Sequence, residues 1–162
     1  MYGHEVATII TKMRHRLRLD VTGAVQGVGF RPFVYRLATG EGLGGFVRNT
    51  RDGVSIEVEG AETALDRFLQ RLDMEIVPPA RIQARRMERI GTLGDRGFTI
   101  QHSTEGGAGS AIVMPDLATC DACLDEILDP GNRRFNYPFT TCVQCGPRYS
   151  IIERLPYDRV RT

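Results

Sequence analysis

From Arg16 the chain alternates apolar and polar positions: Leu17, Leu19 and Val21 against Arg18, Asp20 and Thr22. That is the period of a half-buried strand running towards Gln26. Pro32 suits a first helical turn, and Phe33, Val34, Leu37 and Ala38 repeat at helical spacing before Gly40 and Gly42 stop them. Phe46 and Val47 open a second strand. Asp52-Gly53 signals a hairpin, after which Val54, Ile56 and Val58 alternate with Ser55, Glu57 and Glu59 in a third strand. Leu65, Phe68, Leu69 and Leu72 form one apolar helical stripe, which Pro78-Pro79 ends. Ile82–Ile90 and Phe98–His102 read as two more strands. The order predicts an α+β domain, a split β-α-β unit with an antiparallel sheet against two helices.

The periodicity breaks in the small-residue run 103–110, which is expected to be a linker. It separates a domain at 16–102 from a module at 111–162, and 1–15 is expected to be an extension. All four cysteines lie in the second module, as Cys120-x2-Cys123 and Cys142-x2-Cys145. Two such knuckles match a tetrahedral Zn²⁺ site, and four thiolates with no vacancy point to a structural metal. Val6–Ile10 is too short for a secretory core and no window is long enough to span a membrane, so a reducing, cytoplasmic setting is expected.

Composition narrows the function. With 162 residues, 41% hydrophobic and 25% charged, the chain has room for one domain and a small module. Lys12 is the one lysine, and no glycine frame precedes it, so this is not a P-loop NTPase. A net charge of +1 argues against nucleic acid as a partner, and residues 111–162 are acidic by one charge before any thiolates are counted. Phe135, Tyr137 and Phe139 are accordingly expected to form the module's miniature core rather than a base-stacking stripe.

Gln26-Gly27-Val28-Gly29-Phe30-Arg31 lies between strand and helix, where free N–H groups and the helix dipole favour an anion. It reads either as a phosphate cradle completed by Arg31 or as a tight connection bearing a surface arginine. Gly40, Gly42 and Gly45 match Gly-x-Gly-x-x-Gly formally, but they follow a helix and precede a strand, the wrong order for a dinucleotide site.

Gly23-Ala24-Val25-Gln26-Gly27-Val28-Gly29-Phe30-Arg31, followed by Gly45-Phe46-Val47-Arg48-Asn49 and Asp52-Gly53, resembles the acylphosphatase family over about residues 16–102. The resemblance implies a ferredoxin-like fold, a loop and Arg31 that bind the phosphate of an acyl phosphate, and Asn49 that positions the attacking water. A mixed anhydride is already reactive, so positioning and electrostatics suffice for its hydrolysis. His4, His15 and His102 fall outside both motifs.

Pro115–Leu124, Asp129-Pro130, Arg133–Phe139, Cys142–Tyr149 and Leu155-Pro156-Tyr157-Asp158-Arg159 resemble the first zinc finger of the hydrogenase-maturation carbamoyltransferase family. That family uses carbamoyl phosphate and ATP and passes the carbamoyl group to a carbamoyl-accepting maturation protein. The resemblance implies an N-terminal fragment that hydrolyses carbamoyl phosphate, with the ATP-dependent domains lying downstream. A stand-alone acylphosphatase with a zinc appendage and a non-catalytic zinc adaptor are the alternatives. The two modules are expected to work independently, so that chelation unfolds residues 111–162 and leaves phosphatase activity almost untouched.

Overall fold

The computed structural model describes residues 13–104, 109, 111 and 117–158. The expected extension lies outside the described residues up to position 12. The first module contains β1 (Arg14–Ala24), α1 (Phe30–Gly40), β2 (Gly44–Thr50), β3 (Gly53–Ala61), α2 (Glu62–Met74), β4 (Arg81–Ile90) and β5 (Phe98–Ile100). The sheet order is β4-β1-β3-β2-β5. Leu17, Leu19, Val21, Ile56 and Val58 face Val34, Leu37, Leu65 and Phe68 of the helices, and this interleaving of period-2 and period-3.6 positions is the core. Thr50 closes the β2–β3 hairpin, its Oγ1 accepting from the N–H groups of Asp52 and Gly53 at 3.3 and 3.2 Å.

The expected split β-α-β order is present, but the sheet is mixed. β5 runs parallel to β2, with Gly45 opposite Phe98, because the chain leaves β4 at one edge, crosses the sheet, and returns at the other. The extended path continues past β5: Thr104 N–H donates to Asn49 O and Ala111 N–H to Arg51 O, at 3.0 and 2.8 Å. Within the run expected to be a linker, the described Thr104 and Gly109 are thus bonded to the hairpin, Gly109 N–H donating to Asp52 Oδ1 at 3.0 Å.

Glu57 and Glu59, the polar positions that alternate with Ile56 and Val58, are both buried where the crossing segment lies over the sheet. Arg16, 1% exposed, donates to Glu57 at 2.9 Å, to Glu59 at 3.0 Å and to Asp95 at 2.6 Å, while the N–H groups of Leu93 and Gly94 donate to Glu59. Burial alone would raise the Glu59 pKa. The Leu93 amide, Arg16, Arg14 and the Gly94 amide outweigh it and lower the value from 4.5 to about 2.

Glu59→Gln should lower the unfolding free energy at neutral pH by about 3 kcal/mol, since Arg16 keeps Glu57 and Asp95 but loses one buried anion. Because the folded-state pKa is depressed, the stabilisation is complete above 4.5 and is lost as pH falls towards about 2. Urea unfolding should therefore show a smaller gap between variant and wild type at about pH 3 than at neutrality.

Candidate functional site at the glycine loop and the four-cysteine cluster

The turn from β1 into α1 is built from two left-handed glycines, Gly27 and Gly29, both at φ 76°. That conformation strains any L side chain, and it points the first-turn N–H groups of α1, which have no intrahelical partner, out of the helix end. Gly29 caps α1, accepting from Phe33 N–H at 3.1 Å. Val28 and Phe30 turn their side chains into the core, so towards an anion they contribute backbone only. Gln26 is spent structurally: its Nε2 donates to Thr50 O and Gly53 O, both at 2.7 Å, pinning the loop to the β2–β3 hairpin. Beside the loop lies a cavity of about 300 Å³ whose walls include Gly27, Gly29, Arg31, Thr141, Cys142 and Tyr157.

Three of those walls come from the cysteine module. A Cβ on Gly27 would lie 2.7 Å from Pro147 Cγ, and one on Gly29 would lie 3.2 Å from Val143. The bare glycines thus serve as the seat for the module as well as the bend of the loop.

The stretch that follows the cysteines reaches the same place. Tyr157 N–H donates to Gln26 Oε1 and Asn49 Nδ2 donates to Tyr157 O, both at 2.7 Å, and Arg31 Nη2 donates to Asp158 Oδ1 at 3.0 Å. Asn49, from β2, is fully buried, and its Oδ1 has no hydrogen-bond partner. Arg31 and Asn49, 18 positions apart in sequence, are held by adjacent residues of one dipeptide. Asn49 sits under that dipeptide rather than among the residues lining the cavity. Among the described histidines, His15 sits 3.6 Å from Glu62 and neither it nor His102 lines the cavity; His4 lies outside the described residues.

The four cysteines converge. Cys120 caps α3 (Asp121–Leu128) and Cys123 projects from its first turn, while Cys142 and Cys145 flank a turn closed by Gly146 N–H to Cys142 O at 2.8 Å. Successive Sγ···Sγ distances are 3.5, 3.6 and 3.8 Å, and all four sulfurs lie within 4.8 Å of one another. A tetrahedral Zn²⁺ with bonds of about 2.3 Å spaces its sulfurs about 3.8 Å apart, so the set fits that ion. Burial and the neighbouring thiols push the Cys123 pKa up. Burial also acts to raise Cys145, but hydrogen bonds, first from the Cys120 backbone, bring it down to about 7. Four thiolates this close need a cation to balance them.

Sequence reasoning missed Arg148, Tyr157 and Asp158. Arg148, 5% exposed, donates to Thr140 O at 3.1 Å, Leu117 O at 2.8 Å and Cys145 Sγ at 2.9 Å, placing a cation beside the sulfur cluster. The only sequence signal for the dipeptide is its place in the family-like run Leu155–Arg159. Phe135, Tyr137 and Phe139 are not the expected miniature core. They are 43–51% exposed, because the metal site and Arg148 occupy the centre of so small a module.

Comparison with known proteins accounts for both halves. The acylphosphatase family model matches residues 17–100 and the HypF finger model matches residues 119–152. Carbamoyltransferase HypF of Synechocystis sp. is 46% identical over 150 residues, which are 93% of this chain and 19% of that relative. The acylphosphatase of Thermotoga petrophila is 42% identical over 88 residues, 53% of this chain and 96% of its own length. A crystal structure of full-length HypF in a phosphate- and nucleotide-bound form superposes with a TM-score of 0.78 at 39% identity, covering 93% of this chain and 20% of that one. The chain spans about a fifth of the length of the curated carbamoyltransferases it matches.

The seating of Val143 and Pro147 on the loop glycines removes the basis for expecting the two modules to be independent. Chelating the metal should raise hydrogen exchange at the Tyr157 amide and across residues 26–31 while the β1–β3 ladder stays protected. Metal analysis should give one Zn²⁺ per folded chain.

Proposed function

The chain belongs to the acylphosphatase family and carries a HypF finger, and on that premise we propose that it hydrolyses carbamoyl phosphate to carbamate and phosphate at the glycine loop. The observation that carries this reading is the cavity on the loop, walled by Gly27, Gly29 and Arg31, at the N-terminus of α1. A dianion there meets backbone N–H donors, the positive end of a helix dipole and a guanidinium.

The chemistry asks little more of the protein. The phosphoryl group is gripped by the amides of residues 26–31 and by the free edge of Arg31. A water held by Asn49 attacks phosphorus, the bond from phosphorus to the bridging oxygen breaks, and its electron pair leaves with carbamate. The leaving group is a stable anion and needs no proton, and the water proton passes to a phosphate oxygen or to solvent. Asn49 Oδ1 is a buried acceptor with no donor of its own that lies beside the cavity rather than in its wall, so it takes up the water only once it opens towards the loop as substrate binds. Cys120, Cys123, Cys142 and Cys145 would hold Zn²⁺ in a structural part, since four protein sulfurs would leave it no position open for substrate.

In the longer carbamoyltransferases the same unit would supply an ATP-dependent transfer of the carbamoyl group to a carbamoyl-accepting maturation protein, in the cytoplasm, through domains beyond these residues. Among the described residues no helix is long and apolar enough to cross a membrane.

Arg31→Ala should lower kcat/KM by about a thousandfold, the scale of losing a charged transition-state donor. Asn49→Ala should lower kcat by about a hundredfold and spare binding of inorganic phosphate. Steady-state hydrolysis of carbamoyl phosphate and phosphate titration separate the two. With neither described histidine lining the cavity, kcat should stay level between about pH 6 and pH 8, and a bell-shaped profile abolished by a histidine substitution would contradict the mechanism.

A further inference from the structure

We propose that Asp158, with the Tyr157 backbone beside it, is a positioning element for the acyl-phosphate site, supplied by the segment that follows the four-cysteine module. The inference rests on the acylphosphatase reading above and adds residues from outside the matched domain, whose model ends at residue 100.

A backbone carbonyl can only accept, so the 2.7 Å contact between Asn49 and Tyr157 O fixes which end of the amide carries the nitrogen. Asn49 Oδ1 must then face the other way, and there it is buried with no donor. Without Tyr157 the amide could rotate by a half-turn and exchange its donor and acceptor ends. Asp158 does the corresponding work on Arg31. It takes Nη2 at 3.0 Å, with both side chains only about a quarter exposed or less. One edge of the fork is thereby anchored, and the remaining N–H groups are free to meet an anion in the cavity that Arg31 lines.

The opposite reading is a plug, in which the Asp158 carboxylate stands where phosphate belongs. Two observations argue against it. A cavity of about 300 Å³ remains beside the loop, with Tyr157 as wall rather than filling. Gln26 also bonds the hairpin at two carbonyls and Tyr157 N–H at once, so lifting the dipeptide would strand buried polar groups on Gln26 and Asn49 together.

The test compares wild type, Asp158→Ala and Asp158→Asn in the full chain loaded with zinc, each checked for zinc content and melting temperature. Order of the Arg31 guanidinium is read by ¹⁵N relaxation, turnover with carbamoyl phosphate, and affinity with inorganic phosphate. Positioning predicts that Asp158→Ala disorders the Arg31 side chain and lowers kcat by about tenfold, the scale of one charge-assisted hydrogen bond. Asp158→Asn, whose amide oxygen still accepts from Nη2, should keep Arg31 ordered and stay within about threefold of wild-type kcat. Tighter phosphate binding with unchanged or faster turnover in Asp158→Ala would establish the plug and overturn the proposal. Equal losses in both variants, or an equally ordered Arg31 in all three proteins, would overturn it too. A wild-type protein that orders Arg31 yet turns over no acyl phosphate would instead defeat the enzymatic reading and leave the positioning contact standing.

Discussion

Gly27 and Gly29 carry two demands that a side chain would break separately. Their φ of 76° bends the chain so that the start of α1 and Arg31 meet at one cavity, and their missing Cβ atoms leave room for Pro147 and Val143. An alanine at Gly27 would pay backbone strain and would also push into the ring of Pro147, 2.7 Å away. The bend of the loop and the seat of the cysteine module are therefore one constraint, and the position of the module relative to the sheet follows from it.

The charges are arranged to match. On the sheet face away from the helices, Arg16 is enclosed by Glu57, Glu59 and Asp95, with Arg14 and Arg18 at its margins, so that the crossing segment after β4 is held by charge-assisted bonds. At the sulfur cluster, Arg148 sets a buried cation against four thiols. Arg31 differs from both: it is part-exposed, bonded on one edge, and faces a cavity. An arginine whose donors are all consumed is a strut, whereas one with an edge to spare beside open space is able to bind a ligand.

The exposed aromatics of the module, Phe135, Tyr137 and Phe139, fit a piece whose interior is organised by sulfur and guanidinium rather than by apolar packing. So few residues cannot close a hydrophobic core of their own, and the module leans instead on its metal set and on the loop of the first domain.

The local rules of the chain were enough for much of this. Period-2 and period-3.6 patterns yield the strand and helix order because burying one face of each element is a property of neighbouring residues. The Gly-x-Gly bend before Pro32 and the paired Cys-x2-Cys knuckles are likewise short-range, since backbone freedom and ligand spacing act over a few residues. What the residues could not reveal alone was which polar groups would be covered and by what. Glu59 reads as the outer face of a strand until the segment at Leu93–Asp95 crosses over it, and β5 reads as another antiparallel strand until that crossing reverses its direction. The dipeptide Tyr157-Asp158, 108 positions beyond Asn49 and 127 beyond Arg31, shows no tie to either in the sequence, and the glycine seat brings it onto both. Contacts at such separations depend on the summed placement of every intervening element, which is why tertiary structure alone decided them.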